Sequence, residues 1–339
     1  MRHRLGTARR FRPAIAAFAF AAIVASSLLM SAQPTAPLRL VSTAWSPFTN
    51  QSGQPPRFAS DLVDAALSRI GMRADTTIVE PAAFTPALLT GPYDGSAAAW
   101  KDEQREQVLL FSQSYLENRL ILLGRKGADV SAAGLTALKG RKIAIVGGYA
   151  YGDIDSAGPI FVRTKGEEDS LTQLLRGQVD YALMDDLVVE YLVENYAKEA
   201  QARLQLGSTP LIKRALYFVI RKNYPNAVTV ITRFNSELIG MIKDRTYHKL
   251  LHVDWIRADI DGDGIPEYIP ATNEIGKTAP EHAYSLATTP TLVKSGSPHF
   301  YLGGTIYSDW ATVPDKYKIT GSQHPDPARS TASIFKFVW

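Results

Sequence analysis

The densest cluster of potential ligands in this 339-residue chain is Asp259-Ile260-Asp261-Gly262-Asp263-Gly264-Ile265-Pro266-Glu267. Acids at positions one, three, five and nine, with glycine at six, follow the spacing of a calcium loop, whose seventh residue supplies a backbone carbonyl. One structural calcium ion is therefore expected on Asp259, Asp261, Asp263, the Ile265 carbonyl and Glu267. Pro270 stands where position twelve of such a loop carries an acid, so the site should be weaker than a sensor's. A metal-free acidic turn is the plainer alternative. Elsewhere, Arg105 stands in a charged run with Lys101, Asp102, Glu103 and Glu106, which by itself describes a solvated surface. Asp185 ends an apolar stretch and can accept charge-assisted hydrogen bonds from an ammonium, with Asp186 after it as the alternative, the N-cap of the next helix. His248 and His252 lie four apart with no third ligand nearby and read as ordinary helix residues. There is no phosphate-cradling glycine loop and no Gly-x-Ser-x-Gly elbow. With no cysteine, disulfides, thiolate metal sites and thiol nucleophiles are excluded.

Several elements must position these groups. Leu38 to Val41 reads as a strand running into the loop Trp45-Ser46-Pro47-Phe48. Ser60 reads as the N-cap of a helix whose face is Leu62, Ala66 and Ile70 and whose stop is Gly71. Ile143 to Val146 reads as a buried strand, Asp186 to Tyr196 as a helix, and Ile231, Phe234, Leu238 and Met241 as one face of a long amphipathic helix. Such alternation predicts an α/β fold with largely parallel sheets. Leu88-Leu89-x-Gly91-x-x-Asp94 is echoed 86 residues later by Leu174-Leu175-x-Gly177-x-x-Asp180, which suits two similar lobes. Strands at Arg119 to Leu123 and Leu216 to Ile220 read as the two crossings between them.

The two ends differ from this middle. Arg2, Arg4, Arg9, Arg10 and Arg12 precede an apolar run from Ala14 to Met30 and then small residues, the order of a cleaved secretory signal, with Ala32 as the expected end. Removing those five arginines from 37 basic residues leaves 32 against 33 acidic ones, a net charge of −1. The basic balance thus belongs to the leader and gives no reason to expect nucleic-acid binding. From Ala271 to Trp339 the chain holds six prolines and nine aromatics, with a Gly-Gly hairpin predicted at Phe300 to Tyr307.

Taken in order, Trp45-Ser46-Pro47-Phe48, Ser60-Asp61-Leu62, Gly91-x-x-Asp94, Arg105 six residues before Phe111-Ser112, Leu138-Lys139-Gly140-Arg141-Lys142-Ile143, and Gly177-x-x-Asp180 followed by Asp185 resemble the family 3 periplasmic solute-binding proteins. The resemblance covers roughly residues 38–253. It implies an α/β, two-lobed fold of the periplasmic-binding-protein-like (type II) class, here with a small β-rich C-terminal extension. Lobe 1 would comprise 37–124 plus 221–258, lobe 2 125–220, the calcium-type loop 259–270 and the extension 271–339, after a signal peptide over 1–36. It also implies a periplasmic monomer that closes on a small polar solute, an amino acid or analogue, and delivers it to an ABC permease in the inner membrane.

By the same resemblance Arg105 forks onto a ligand carboxylate, Asp185 holds an ammonium and Trp45 packs on the ligand, with Trp100 and Tyr149 as further contacts. There are departures. Ala97, Ala98 and Ala99 precede Trp100 where hydroxyl residues are usual, and Asp102 replaces a threonine. Gly148-Tyr149-Ala150-Tyr151 replaces a glycine followed by threonines. The expected site keeps two charges, loses hydroxyl donors and gains aromatic bulk. Some proteins of this fold resemble cyclohexadienyl dehydratases, so an enzyme with Asp102 or Asp185 as proton donor is the alternative, and so is a receptor that signals rather than transports.

Overall fold

The computed structural model describes residues 36–54, 56–280, 283–286 and 298–319, together with Met1. All of the expected signal peptide but Met1 and Ala36, and residues 281–282, 287–297 and 320–339 of the C-terminal extension, lie outside the described residues.

Lobe 1 opens with β1 (Leu38–Thr43), helix α1 (Phe58–Arg69), β2 (Ala74–Val79), α2 (Pro81–Thr90), β3 (Gly95–Trp100), α3 (Glu103–Val108) and β4 (Leu109–Phe111). A ten-residue strand, β5 (Leu116–Arg125), leads to β6 (Lys142–Val146), β7 (Ile160–Thr164), α4 (Glu167–Leu175), β8 (Tyr181–Asp185), α5 (Asp186–Asn195), α6 (Ala197–Arg203) and β9 (Leu204–Leu206). A second ten-residue strand, β10 (Ile212–Arg221), returns to α7 (Ala227–Lys243) and α8 (Thr246–Leu251). The strand order is β2-β1-β3-β10-β5-β8-β6-β7. β1 runs parallel to β2 and β3, and β6 parallel to β7 and β8, while β5 and β10 pair antiparallel between these two groups. The sequence-predicted crossings lie within β5 and β10.

The period of two explains how these strands serve several cores at once. On β5, Leu120 and Leu122 face the largest cluster, while Ile121 and Leu123 face the lobe 2 cluster. On β10, Leu216, Phe218 and Ile220 join the largest cluster and Val219 joins Val41, Phe84 and Leu88 beneath α2. Helix α7 buries Ile231, Phe234, Leu238 and Met241 on one face, the spacing of a helical stripe. Phe234 alone, with its ring 4.6 Å from that of Phe218, contributes on the order of 2–3 kcal/mol by burial.

The 86-residue echo has a single physical cause. Asp94 accepts the Arg39 backbone N–H at 2.9 Å and donates its own N–H to the Arg39 carbonyl. Asp180 makes the same pair of bonds with Lys142, at the start of β6. Each aspartate clamps the strand beside it, and Gly177 supplies the left-handed backbone that ends α4 (φ +72°).

One expectation is corrected here. Ser60 is not the N-cap of α1: the helix starts at Phe58, and Ser60 is buried within its first turn. The Pro47 carbonyl accepts the Phe58 N–H and the Phe48 carbonyl accepts those of Ala59 and Ser60. The preceding loop satisfies the orphan amides, so no side-chain cap is required.

A second sheet, in the order β13-β11-β12-β14-β15, comprises β11 (Trp255–Ala258), β12 (Glu267–Pro270), β13 (Tyr284–Ser285), β14 (His299–Leu302) and β15 (Thr305–Tyr307). Ile256, Ala258 and Ile269 pack into the main core, while Phe300, Leu302, Ile275 and Val313 form a small core of their own. β14 and β15 pair antiparallel across Gly303-Gly304, both at positive φ as a two-residue hairpin turn requires. Among the described residues no helix is long and apolar enough to cross a membrane.

Candidate functional site

The loop after β1 folds back on itself. Trp45 and Thr49 exchange backbone hydrogen bonds at 2.9 Å, and the Thr49 hydroxyl donates to the Thr43 carbonyl at 2.7 Å. This fixes the buried Trp45 ring against Phe48, with centroids 4.5 Å apart. At the end of β3, Trp100 is held by its indole N–H, which donates to Asn118 Oδ1 at 2.7 Å. Trp45 and Trp100 meet edge to face at 5.7 Å. From lobe 2, the loop after β6 brings Tyr149 to 5.5 Å from Trp45 and 5.7 Å from Trp100, and Tyr151 to 5.4 Å from Trp100. The lobes therefore touch through aromatic rings. Burial pushes both tyrosine hydroxyls well above their ordinary pKa, so both stay neutral donors.

Arg105 is set by α3. Asp102 caps that helix by accepting the Arg105 N–H at 2.8 Å. The guanidinium then turns inward, with its side chain 2% exposed. Nη1 donates to the Trp100 carbonyl at 2.8 Å, Nη2 donates to the Thr85 hydroxyl at 2.9 Å, and the group lies over the Phe84 ring at 5.5 Å. Nε faces Asp102 Oδ2 at 3.4 Å, too long and poorly aligned for a good hydrogen bond. Two of five N–H groups are thus hydrogen-bonded within the protein. Burial lowers the Arg105 pKa, Asp102 opposes that, and a second cation, Arg214, adds to it. Arg214 sits over the Trp100 ring at 5.9 Å and donates to the Lys101 carbonyl. Both guanidinium groups thus feel the charge of Asp102 beside one aromatic cluster.

Trp45, Trp100, Arg105 and Tyr149 line one cleft with Ser42 and Thr43, of about 330 Å3 including the part open to solvent. A larger hollow, about 1010 Å3 on the same measure, lies between α1, α8 and α5; Pro47, Asp61 and His252 line it, but none of the expected ligand contacts does.

Asp185 is not brought to the cleft with the other four. It is 4% exposed and its carboxylate accepts from Leu187 N, as the N-cap of α5, from Arg119 N and from Asn118 Nδ2 at 2.9–3.0 Å. Burial and the charge of Asp186 push its pKa well above the usual carboxylate range, against those three bonds. Asp102, the other carboxyl weighed as a proton donor, is likewise a helix N-cap.

Residue reasoning missed Asn118, Arg214, Thr85 and the role of Tyr151. Asn118 lies in the polar stretch Glu117-Asn118-Arg119 before the apolar run of β5, and Arg214 precedes that of β10; a polar residue at the mouth of each crossing strand was the available signal. Tyr151 also closes its own loop, since its hydroxyl accepts the Val146 N–H at 3.0 Å.

The acidic loop joins β11 to β12, on the other sheet. Oxygens of Asp259, Asp261 and Glu267 lie within 4.8 Å of one another, as do ligand atoms of Asp263, Glu267 and His299.

Residues 40–257 match the sequence profile of the bacterial extracellular solute-binding proteins, family 3. No curated protein matches the chain. Among solved structures, an ancestral arginine-binding protein bound to arginine is 23% identical, with TM-score 0.55 over 65% of this chain and 98% of that one. An arginine third transport system periplasmic binding protein from Legionella pneumophila is 21% identical, with TM-score 0.53 over 64% and 98%. The ancestral amino-acid-binding protein AncCDT-1, a precursor of cyclohexadienyl dehydratase, is 23% identical, with TM-score 0.52 over 64% and 94%. At these identities the likeness concerns the two-lobed fold.

Proposed function

The chain belongs to the bacterial extracellular solute-binding proteins, family 3, and from that premise we propose that it captures a small carboxylate-bearing solute between its lobes for delivery to an ABC importer. The observation that carries this is the charge in the cleft wall. Arg105 lines the cleft with Trp45, Trp100 and Tyr149, Arg214 lies over the Trp100 ring, and both feel the charge of Asp102. A buried, under-neutralised guanidinium attracts an anion, and its planar fork suits a carboxylate. The rings suit a flat or aliphatic body or a second cationic end. An ammonium contact at Asp185 is not needed for this reading, since that carboxylate already has three protein donors. β5 and β10 are the hinge, and closure brings Tyr149 down on the solute. Export by a leader ending near Ala32 places the protein where an importer meets it.

Native mass spectrometry of fresh protein should identify the co-purifying solute. Calorimetry should then show that Arg105→Ala loses roughly 2–5 kcal/mol of binding, more than tenfold in affinity. Arg105→Lys should recover only part, because it keeps the charge without the fork. Wild-type affinity in Arg105→Ala overturns the reading.

A second reading, an enzyme resembling cyclohexadienyl dehydratases, has one observation in its favour. Glu167, buried at the start of α4, is pushed up to about 7 by burial, and its charge acts on both Tyr149 and Tyr151. A carboxyl still protonated near neutrality can donate a proton to a leaving hydroxyl. Turnover of prephenate or arogenate, abolished in Glu167→Gln, would select this reading over the first.

A further inference from the structure

The loop between β11 and β12 has an internal order that the cleft does not use. Ala258 pairs with Glu267 at its neck, so residues 259–266 form the turn. Backbone amides organise the acids. Gly262 N and Gly264 N donate to Asp259 at 2.7 and 3.0 Å, Asp263 N donates to Asp261 at 3.1 Å, and Ile265 N donates to Asp263 at 2.7 Å. Gly262 and Gly264 both take positive φ, which lets the turn close this tightly.

Such turns occur without metals, and the separate observation here is Glu267. It is fully buried, yet only one of its carboxylate oxygens is engaged, Oε2 accepting the Ile260 N–H at 2.9 Å. Oε1 has no hydrogen-bond partner, and its neighbour His299 Nδ1 is 3.7 Å away and is itself without one. Glu267 nevertheless offers an oxygen within 4.8 Å of those of Asp259 and Asp261. A buried, unpartnered carboxylate oxygen beside two more carboxylates is unfavourable unless a cation joins them.

We propose that this loop binds one calcium ion, held by Asp259, Asp261, Asp263, the Ile265 carbonyl and Glu267, with Glu267 as the inner anchor. Glu267 takes the place of the missing acid at position twelve: being the first residue of β12, it enters the loop from the sheet beneath it. A hard ion with oxygen ligands fits this donor set. His299, which pairs with Glu267 across β12 and β14, makes a rival set with Asp263 that would suit a transition metal. Calcium is favoured because the set of Asp259, Asp261 and Glu267 offers oxygen alone, to which the loop spacing can add Asp263 and the Ile265 carbonyl. The ion ties the β11–β12 turn to the first residue of β12, so its role is structural and independent of the cleft.

The test is thermal unfolding and calorimetry of the EGTA-treated protein with calcium, magnesium and zinc, for wild type, Asp261→Asn, Glu267→Gln and His299→Ala. The expected result is one calcium per chain and a melting temperature raised on the order of 5 °C at 10 mM calcium, for a site of about 0.1 mM affinity. Asp261→Asn, an exposed change that should not impair folding, should lose at least tenfold in calcium affinity, and His299→Ala should keep it. Equal melting with calcium and chelator in wild type overturns the proposal. So does zinc binding that exceeds calcium binding and vanishes in His299→Ala.

Discussion

Gly148 is where lobe 2 presses on lobe 1, and replacing it tests closure directly. Its φ is +86°, and a Cβ added there would lie 2.4 Å from the Pro81 carbonyl oxygen and 3.0 Å from its carbon. Both are backbone atoms at the start of α2, so no side chain can swing aside. Restoring an ordinary contact near 3.4 Å needs the lobes to part by roughly 1 Å at this point. Gly148→Ala therefore carries two separable costs. The left-handed backbone costs about 1–2 kcal/mol in open and closed forms alike, and appears as lost stability. The clash exists only in the closed form and, at about 2 kcal/mol of overpacking, should weaken solute binding roughly thirtyfold. Gly152→Ala is the control: its φ is +88°, but the nearest atom to its Cβ is the movable Arg214 Nη1 at 3.4 Å. Both variants should melt earlier, and only Gly148→Ala should lose affinity by calorimetry and show a larger radius of gyration with solute by X-ray scattering. Wild-type affinity in Gly148→Ala, or an equal loss in Gly152→Ala, refutes the closed contact as the bound one.

Two further outcomes follow from buried polar groups. His248 Nε2–H donates to the Ile269 carbonyl at 2.8 Å, and burial lowers its pKa from 6.5 to about 4. The unfolded chain therefore binds the extra proton, so its contribution is present above pH 6.5 and lost as pH falls toward 4, about 2 kcal/mol between pH 7 and 5. Glu167 and Asp64, pushed up to about 7 and about 6 by burial, act in the opposite sense, so urea melts of wild type should be read against His248→Gln, and parallel pH curves would refute the assignment. Asp185→Ala strands the Leu187 and Arg119 amides and the Asn118 side chain and should cost about 3 kcal/mol of stability while leaving solute affinity within about threefold; a loss beyond tenfold would restore it as a ligand contact.

Which of these features could be read from the chain depended on how local their causes are. Gly91-x-x-Asp94 and Gly177-x-x-Asp180 were legible because the glycine stop and the aspartate clamp act on neighbouring backbone. The two crossing strands were legible because continuous apolar runs flag burial on both faces. The N-terminus of α1 was not, because Pro47 and Phe48 carbonyls, brought round by the loop, did the work that Ser60 was expected to do. The cap expected at Asp186 falls at Asp185 instead, and only the position of Asn118 and the Arg119 amide shows where the rest of its lone pairs go. The calcium-type spacing was legible, but the burial of Glu267 against His299 arises from strand pairing 32 residues apart in sequence and left no local mark.

Asn118 ties these observations into one device. It stands on β5, the strand common to both lobes, accepts the Trp100 indole N–H through Oδ1 and donates through Nδ2 to Asp185. Its amide is thus fixed in one orientation by a donor from lobe 1 and an acceptor from lobe 2. Trp100 in turn supports Arg105, whose Nη1 donates to the Trp100 carbonyl, and lies beneath Arg214 on the other hinge strand. A hinge that bent at Asn118 would have to break a buried hydrogen bond on one side or the other, which costs more than rotating backbone in the loops beyond it. The bend that opens the cleft should therefore fall in the outer residues of β5 and β10, leaving Trp100, Asn118 and Asp185 as a fixed block. The aromatic wall and the guanidinium it orients then keep their geometry as Tyr149 moves, so the solute meets a preformed half-site in lobe 1 and lobe 2 closes over it.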